Sequence, residues 1–369
     1  MKKLSTLIID PNQRVINSLS DIIRRDNELE VACALTSKKV ESIETLLEKY
    51  RPDVVILGID GKETDEMDMF FKLRQNYPHL PVLIMAPHNR MGAEAALIAL
   101  KKGAVEYIVK TTTLSGSILS DEHFKDRLIP VLKAVPRLNR NILISGTFID
   151  DAVKAVKRVP KGLFSETDYH SKLLVIAGCL GGVPSLYMLL SSLPANLPVP
   201  VIVVQHMPEI FTSVLAADLN KITRLNVTEA KQNDELSPGN IFIIPGNYHA
   251  TTNFINRKNV ITLHKGPKIK GFRPSIDVLL KSTQNTFREN VLAVYLSGGG
   301  KDGIDGAKVI DITGGQIILQ NRSTSLLADL PWKIESLGFH DGSYPLNRLG
   351  HEISKKIQGN RKVNRVAMY

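Results

Sequence analysis

Short, wholly apolar runs recur along this chain, and each is followed by a segment with helical spacing. In the first part, Leu4–Asp10, Glu30–Leu35, Val54–Leu57, Val82–Met85 and Tyr107–Lys110 read as strands. Val15–Asp26, Val40–Tyr50, Met67–Asn76 and Ala93–Lys102 read as the helices between them. Strands apolar on both faces require cover on both faces, which a parallel sheet with crossover helices supplies. The alternation lapses after Thr111, where Phe124–Ala134 and Asp150–Arg158 are isolated helical pieces in a polar stretch. It restarts with Leu173–Ala177 and Pro184–Ser192, then Val201–Gln205 and Ile210–Leu219. Asn240–Pro245 and Val260–His264 read as a hairpin-like insertion, Ser275–Ser282 as a helix, and Val291–Ser297 and Gln316–Gln320 as closing strands. The expected fold class is α/β, with two doubly wound parallel-sheet domains at 1–121 and 172–369 joined by a linker at 122–171. A length of 369 residues accommodates both.

Composition closes off several classes of function. The longest apolar stretches, such as Val199–Val204, fall far short of the ~20 residues that span a bilayer, so no membrane insertion is expected. The N-terminal apolar run ends at Asp10, too early for a secretory signal. Two cysteines, Cys33 and Cys179, cannot build a disulfide framework or a zinc site unaided, so the expected setting is cytoplasmic and no metal site is expected. The net charge of +10 is uneven: −1 over 1–121, +3 over 122–171 and +8 over 172–369. Such a basic half suits an acidic partner. With no lysine-arginine block and no nucleic-acid motif, nucleic acid is not expected to be that partner.

Three segments of the second half carry chemistry. Leu173-Leu174-Val175-Ile176-Ala177-Gly178-Cys179-Leu180-Gly181-Gly182 runs a strand into a glycine-flanked turn with a helix beginning near Pro184. A nucleophile on such a turn is exposed at the sheet edge, and the helix N-terminus favours negative charge there. Cys179 could equally be a small buried hydrophobe. Val201-Ile202-Val203-Val204-Gln205-His206 ends a strand at a histidine, which alone is often structural. Ser297-Gly298-Gly299-Gly300-Lys301-Asp302-Gly303 places an aspartate after another strand, where it could simply cap a helix. Together, Cys179, His206 and Asp302 would put a nucleophile, a base and an orienting carboxylate on one edge of one sheet.

These segments resemble those of the CheB-type chemotaxis methylesterases, which have a G-A-S-T-G-G nucleophile loop, a Q-H-M-P segment and a G-M-G-x-D-G loop. Pro245-Gly246-Asn247-Tyr248-His249 and Arg273-Pro274-Ser275-Ile276-Asp277-Val278-Leu279 add to the match. The resemblance implies hydrolysis of methyl esters on receptor glutamates, with glutamine deamidation as a companion activity and no cofactor. It places Cys179, His206 and Asp302 as the catalytic set, with Gly178, Leu180, Gly181 and Gly299 in the oxyanion loops. Its implied partners are the glutamate-rich helices of methyl-accepting receptors and a chemotaxis histidine kinase. Against the family pattern, Cys179 stands for serine, Leu180 for threonine and Gly299 for methionine. A catalytically inactive, receptor-binding scaffold is the alternative these departures leave open, and a thiol-redox sensor a weaker one.

The first half resembles the receiver domains of response regulators. Their chemistry needs paired acids for Mg²⁺, a phosphoacceptor Asp, a hydroxyl and a lysine. Here Asp10 is the one acid left, Gly58 stands where the phosphoacceptor belongs and Ala86 where the hydroxyl belongs, and only Lys110 is kept. Phosphorylation control is expected to be gone, and Lys110 could be a solvated strand-end lysine. Asp60 is the weaker candidate for a relocated phosphosite.

Overall fold

The computed structural model describes residues 3–110, 122–135 and 172–359. The expected helix at Asp150–Arg158 and most of the 122–171 segment lie outside the described residues. The first domain runs β1 (Leu4–Asp10), α1 (Gln13–Arg24), β2 (Leu29–Thr36), α2 (Ile43–Tyr50), β3 (Val54–Gly58), α3 (Asp65–Asn76), β4 (Val82–Pro87), α4 (Arg90–Lys101) and β5 (Glu106–Lys110). Its strands form one parallel sheet in the order β2-β1-β3-β4-β5. The apolar strands β3 and β4 lie at its centre, as burial on both faces requires. Local chemistry starts the helices: Asn12, Ser42, Thr64 and Asn89 each accept a hydrogen bond from a backbone N–H of the first turn.

Helix α5 (Glu122–Ala134) packs Leu128, Val131 and Leu132 into a core cluster with Leu19, Ile23 and Ile108. That cluster continues into the second domain through Cys179, Leu180 and Leu327.

The second domain runs β6 (Leu173–Gly178), α6 (Gly182–Ser192), β7 (Val201–Gln205), α7 (Glu209–Ile222), β8 (Asn226–Glu229), β9 (Asn240–Ile243), β10 (His249–Ile255), β11 (Lys258–His264), α8 (Ile276–Thr283), β12 (Val291–Tyr295), α9 (Ile304–Ile312), β13 (Gln316–Gln320), α10 (Asp329–Ser336), β14 (Ser343–Tyr344) and α11 (Leu346–Gln358). Seven strands form a parallel sheet ordered β14-β13-β12-β6-β7-β9-β8. The hairpin differs from expectation. It pairs β10 with β11, whereas Asn240–Ile243 is a parallel strand of the main sheet between β7 and β8. The turn at Asn256-Arg257, both with positive φ, closes the hairpin.

The chain enters this sheet at β6, builds β7, β9 and β8 on one side, then crosses to β12 on the other. The loops after β6 and β12 therefore diverge and leave a crevice at the carboxyl edge. The two domains meet through α4 and α7. Lys101 Nζ lies 2.7 Å from Asp218 Oδ2, which also accepts the Tyr187 hydroxyl at 2.6 Å. The Tyr107 ring of β5 stacks on Phe211 at 5.1 Å with the planes 6° apart.

Candidate active site

The turn after β6 holds Cys179. Glycine is required around it for space: a Cβ at Gly178 or Gly182 would fall within 2.5 Å of the Gln205 side-chain oxygen, and one at Gly298 within 2.9 Å of Cys179 Cβ. Gln205 fills the first two gaps and donates its Nε2 to the Cys179 carbonyl at 2.7 Å, fixing the turn. Gly181 takes the left-handed conformation (φ 74°) that starts α6. Strand β7 delivers His206 beside this turn, where its N–H bonds the Gly178 carbonyl at 3.1 Å. The loop after β12 delivers Asp302.

All three side chains are buried, with 6%, 4% and 1% exposure for Cys179, His206 and Asp302. His206 Nε2 lies 2.9 Å from Asp302 Oδ2. The same carboxylate sits on the N-terminus of α8: Oδ2 accepts from Ile276 N at 2.7 Å, and Oδ1 from Ser275 Oγ at 2.7 Å and Asp277 N at 3.2 Å. Asp277 returns the arrangement, accepting from Gly303 N at 2.9 Å and Gly306 N at 2.7 Å at the start of α9. The α8 N-terminus thus takes Asp302 and the α9 N-terminus takes Asp277, and Asp302 is held between the α8 amides and His206.

Nδ1 of His206 makes no well-formed hydrogen bond to a described residue, which leaves it to the Cys179 sulfur. The Phe272 ring stacks on the imidazole at 3.9 Å, with planes 11° apart, and fixes its tilt.

The electrostatics follow from this packing. Burial alone would push the Cys179 thiol up. The His206 charge and hydrogen bond, the Arg127 charge and the Leu180 N–H together bring it below the ordinary thiol range. Burial opposes the charge on His206, but Cys179 and Asp302 outweigh it and raise the imidazole to about 9. Burial likewise works against the Asp302 carboxylate, which His206, Ser275 and the α8 amides hold below the usual range. A thiolate–imidazolium pair is the state these shifts favour.

Other expected positions sort differently. The Gly181 N–H is engaged by the fully buried Glu106 carboxylate of β5, so it is not available as an oxyanion donor. The Cys179 and Gly298 N–H groups are also spent, on Ser297 O at 3.1 Å and Leu327 O at 2.7 Å. Gly178 serves close packing, while Leu180 and Gly299 line a cavity of about 580 Å³ together with Cys179, Phe272 and Arg127. Gln205, Phe272 and Ser275 were not among the expected site residues. Only Gln205 and Ser275 stood within the quoted motifs.

In the first domain, Lys110 is not a solvated lysine. It is buried, with Nζ 3.0 Å from Asp10 Oδ2 and 3.0 Å from Asp60 Oδ1. A Cβ on Gly58 would lie 1.9 Å from Asp10 Oδ2, so the Asp10 carboxylate fills the space in front of that glycine. Burial pushes Asp10 up, against the pull of Lys110. Ala86 is buried in β4 and offers no hydroxyl. Among the described residues, no group of three or more His, Cys, Asp or Glu is placed to hold a metal ion. No described helix is long and apolar enough to cross a membrane.

Comparison with known proteins gives two family matches: "CheB methylesterase" over residues 174–353, and "Response regulator receiver domain" over residues 6–116. A protein-glutamate methylesterase/protein-glutamine glutaminase of Trichodesmium erythraeum is 30% identical over 97% of this chain and 100% of its own length. One of the same description from Nocardioides sp. is 31% identical over 98% of this chain and 97% of its own. The solved CheB methylesterase catalytic domain of Thermotoga maritima is 34% identical over 50% of this chain and 98% of its own, with a TM-score of 0.49.

Proposed function

The chain belongs to the CheB methylesterase family, and from that membership we propose that it hydrolyses γ-methyl esters of glutamates on methyl-accepting receptors, with Cys179 as nucleophile. The observation that carries this reading is the buried Cys179–His206–Asp302 set, with His206 bonded to Asp302 at 2.9 Å beside an open cavity. The Cys179 thiolate attacks the ester carbonyl, and the developing oxyanion draws on the N–H groups of the cavity-lining Leu180 and Gly299, the former released by the sulfur as its charge passes to the substrate. The His206 imidazolium gives its proton to the departing methanol, leaving a thioester on Cys179. Neutral His206 then takes a proton from water, which attacks the thioester and releases the glutamate and the thiolate. Asp302 keeps the ring oriented and stabilises its charge throughout. The same steps with ammonia as leaving group would deamidate glutamine. Lys125 and Lys301, which line the cavity, suit the acidic neighbours of a receptor glutamate.

Phosphorylation does not enter this scheme. Gly58 has no carboxylate to accept a phosphoryl group, and Asp10 fills the space in front of it. The two domains are residues 1–121 and 172–369, with 122–171 joining them, and the protein acts in the cytoplasm beside receptor arrays and their kinase. The test is to mix the protein with a methylated receptor fragment, quench in acid and weigh the protein. A mass increment of the acyl substrate on Cys179, removable by hydroxylamine, is expected. A folded, receptor-binding protein that never carries the increment and releases no methanol would instead support the scaffold reading.

A further inference from the structure

We propose that the first domain and the helix α5 packed on it complete the nucleophile site: Arg127 of α5 supplies a positive charge in the cavity that holds Cys179, and Glu106 of β5 fixes the turn behind it. The inference rests on the reading of Cys179 as nucleophile.

Three placements support it. First, Arg127 and Cys179 line the same cavity, although Arg127 stands on α5 in the joining segment and Cys179 in the second domain. Second, α5 is anchored there by its apolar face: Leu128, Val131 and Leu132 belong to the same buried cluster as Cys179, Leu180 and Leu327. Third, Glu106 reaches across the domain boundary, with Oε2 on the Gly181 N–H and Oε1 on the Tyr107 N–H at 2.9 Å. Arg127 is held by the Tyr107 hydroxyl, and its Nε–H is buried without a hydrogen-bond partner among the described residues.

His206 gives Nε2 to Asp302 and Nδ1 to the sulfur, so Arg127 adds to a charge already in place, and the remaining cations near the sulfur do not duplicate it. Lys270 is tied to Asp277 at 2.8 Å and Asp305 at 2.9 Å. Lys125 and Lys301, with Asp126 and Asp329, stand round the cavity as a mixed set of charges. Tyr107 faces the site with its hydroxyl protonated, since burial pushes its titration above the usual range. A carboxylate deeper in the junction, Glu106, balances Arg127 without approaching the thiol as a hydrogen-bond partner. The domain that in outline resembles a switch is here a part of the site, acting through Glu106 and through Arg127 of the helix packed on it.

The test uses the full chain in a Cys33→Ser background, which leaves Cys179 as the sole thiol. Its alkylation by iodoacetamide is followed against pH, alongside methanol release. Arg127→Met is expected to move the alkylation midpoint to higher pH and to lower the ester turnover about tenfold at neutral pH. Arg127→Lys, which keeps the charge, is expected to return the midpoint toward that of the parent. Lys101→Ala, which cuts the Lys101–Asp218 tie away from the nucleophile, is expected to leave the midpoint in place. An unmoved midpoint in Arg127→Met would overturn the proposal. So would an equal shift in Lys101→Ala, which would mean that any loosening of the interface has the same effect. If no variant turns over ester but the alkylation midpoints move as stated, the placement of Arg127 stands and the esterase reading fails.

Discussion

The chemistry of Cys179 depends on a few atoms that a single substitution can remove. Because His206 is raised to about 9, the imidazolium persists through neutral pH and can protonate methanol. Hydrolysis is therefore expected to fall as pH rises through about 9, while thiol alkylation gains its plateau below the ordinary thiol value of about 8.5. A hydrolysis rate that keeps climbing above pH 9 would mean that neutral His206 is the working form. A second prediction concerns Gly58. Gly58→Ala would force its Cβ against Asp10 and is expected to destabilise the protein by about 1–3 kcal/mol. Asp10→Ala in the same chain should recover part of that loss, measured as a double-mutant cycle in denaturant. Additive losses would show that the two residues do not share the space. Cys179 and His206 were legible in the sequence because each directly follows an apolar strand, and Asp302 because it stands in the glycine-rich loop after β12. Phe272 and Glu106 were not, since their contacts with His206 and Gly181 join segments far apart in the chain.

Elements deliver those residues, and their ends do most of the work. Asp302 is usable because the N-terminus of α8 holds it through Ser275, Ile276 and Asp277, while Asp277 in turn accepts from the start of α9. Ser275 both caps α8, accepting from Val278 N at 3.3 Å, and bonds Asp302. Ser275→Ala is expected to cost about 1 kcal/mol of stability. It is also expected to lower kcat more than it raises KM, because Asp302 acts on the reacting imidazole and not on substrate binding. A change confined to KM would place Ser275 outside the catalytic arrangement. The strand–helix alternation made both sheets legible, since a strand buried on both faces leaves a continuous apolar run. The region between 226 and 264 was misread for a physical reason. β8 (Asn226–Glu229) has one buried side chain and lies at the sheet edge, so it carries no apolar run. With β8 missed, β9 was assigned to a hairpin whose real first strand is the mixed sequence His249–Ile255.

At the scale of the whole molecule, two α/β domains share apolar clusters and a polar junction instead of touching lightly. Tyr107 on Phe211 and Lys101 on Asp218 tie them together, and Glu106 on Gly181 does so beside the nucleophile. Since Asp10, paired with Lys110, already fills the space in front of Gly58, acetyl phosphate or beryllofluoride is expected to leave the turnover unchanged. A stimulation would point to a phosphosite elsewhere in the chain. The most direct test of the account is methanol release from a methylated receptor fragment by the full-length protein and by Cys179→Ala at equal receptor occupancy. The account predicts steady turnover by the parent protein and none above background by the variant. Turnover that survives in Cys179→Ala, or is absent from a folded and receptor-bound parent, would contradict it.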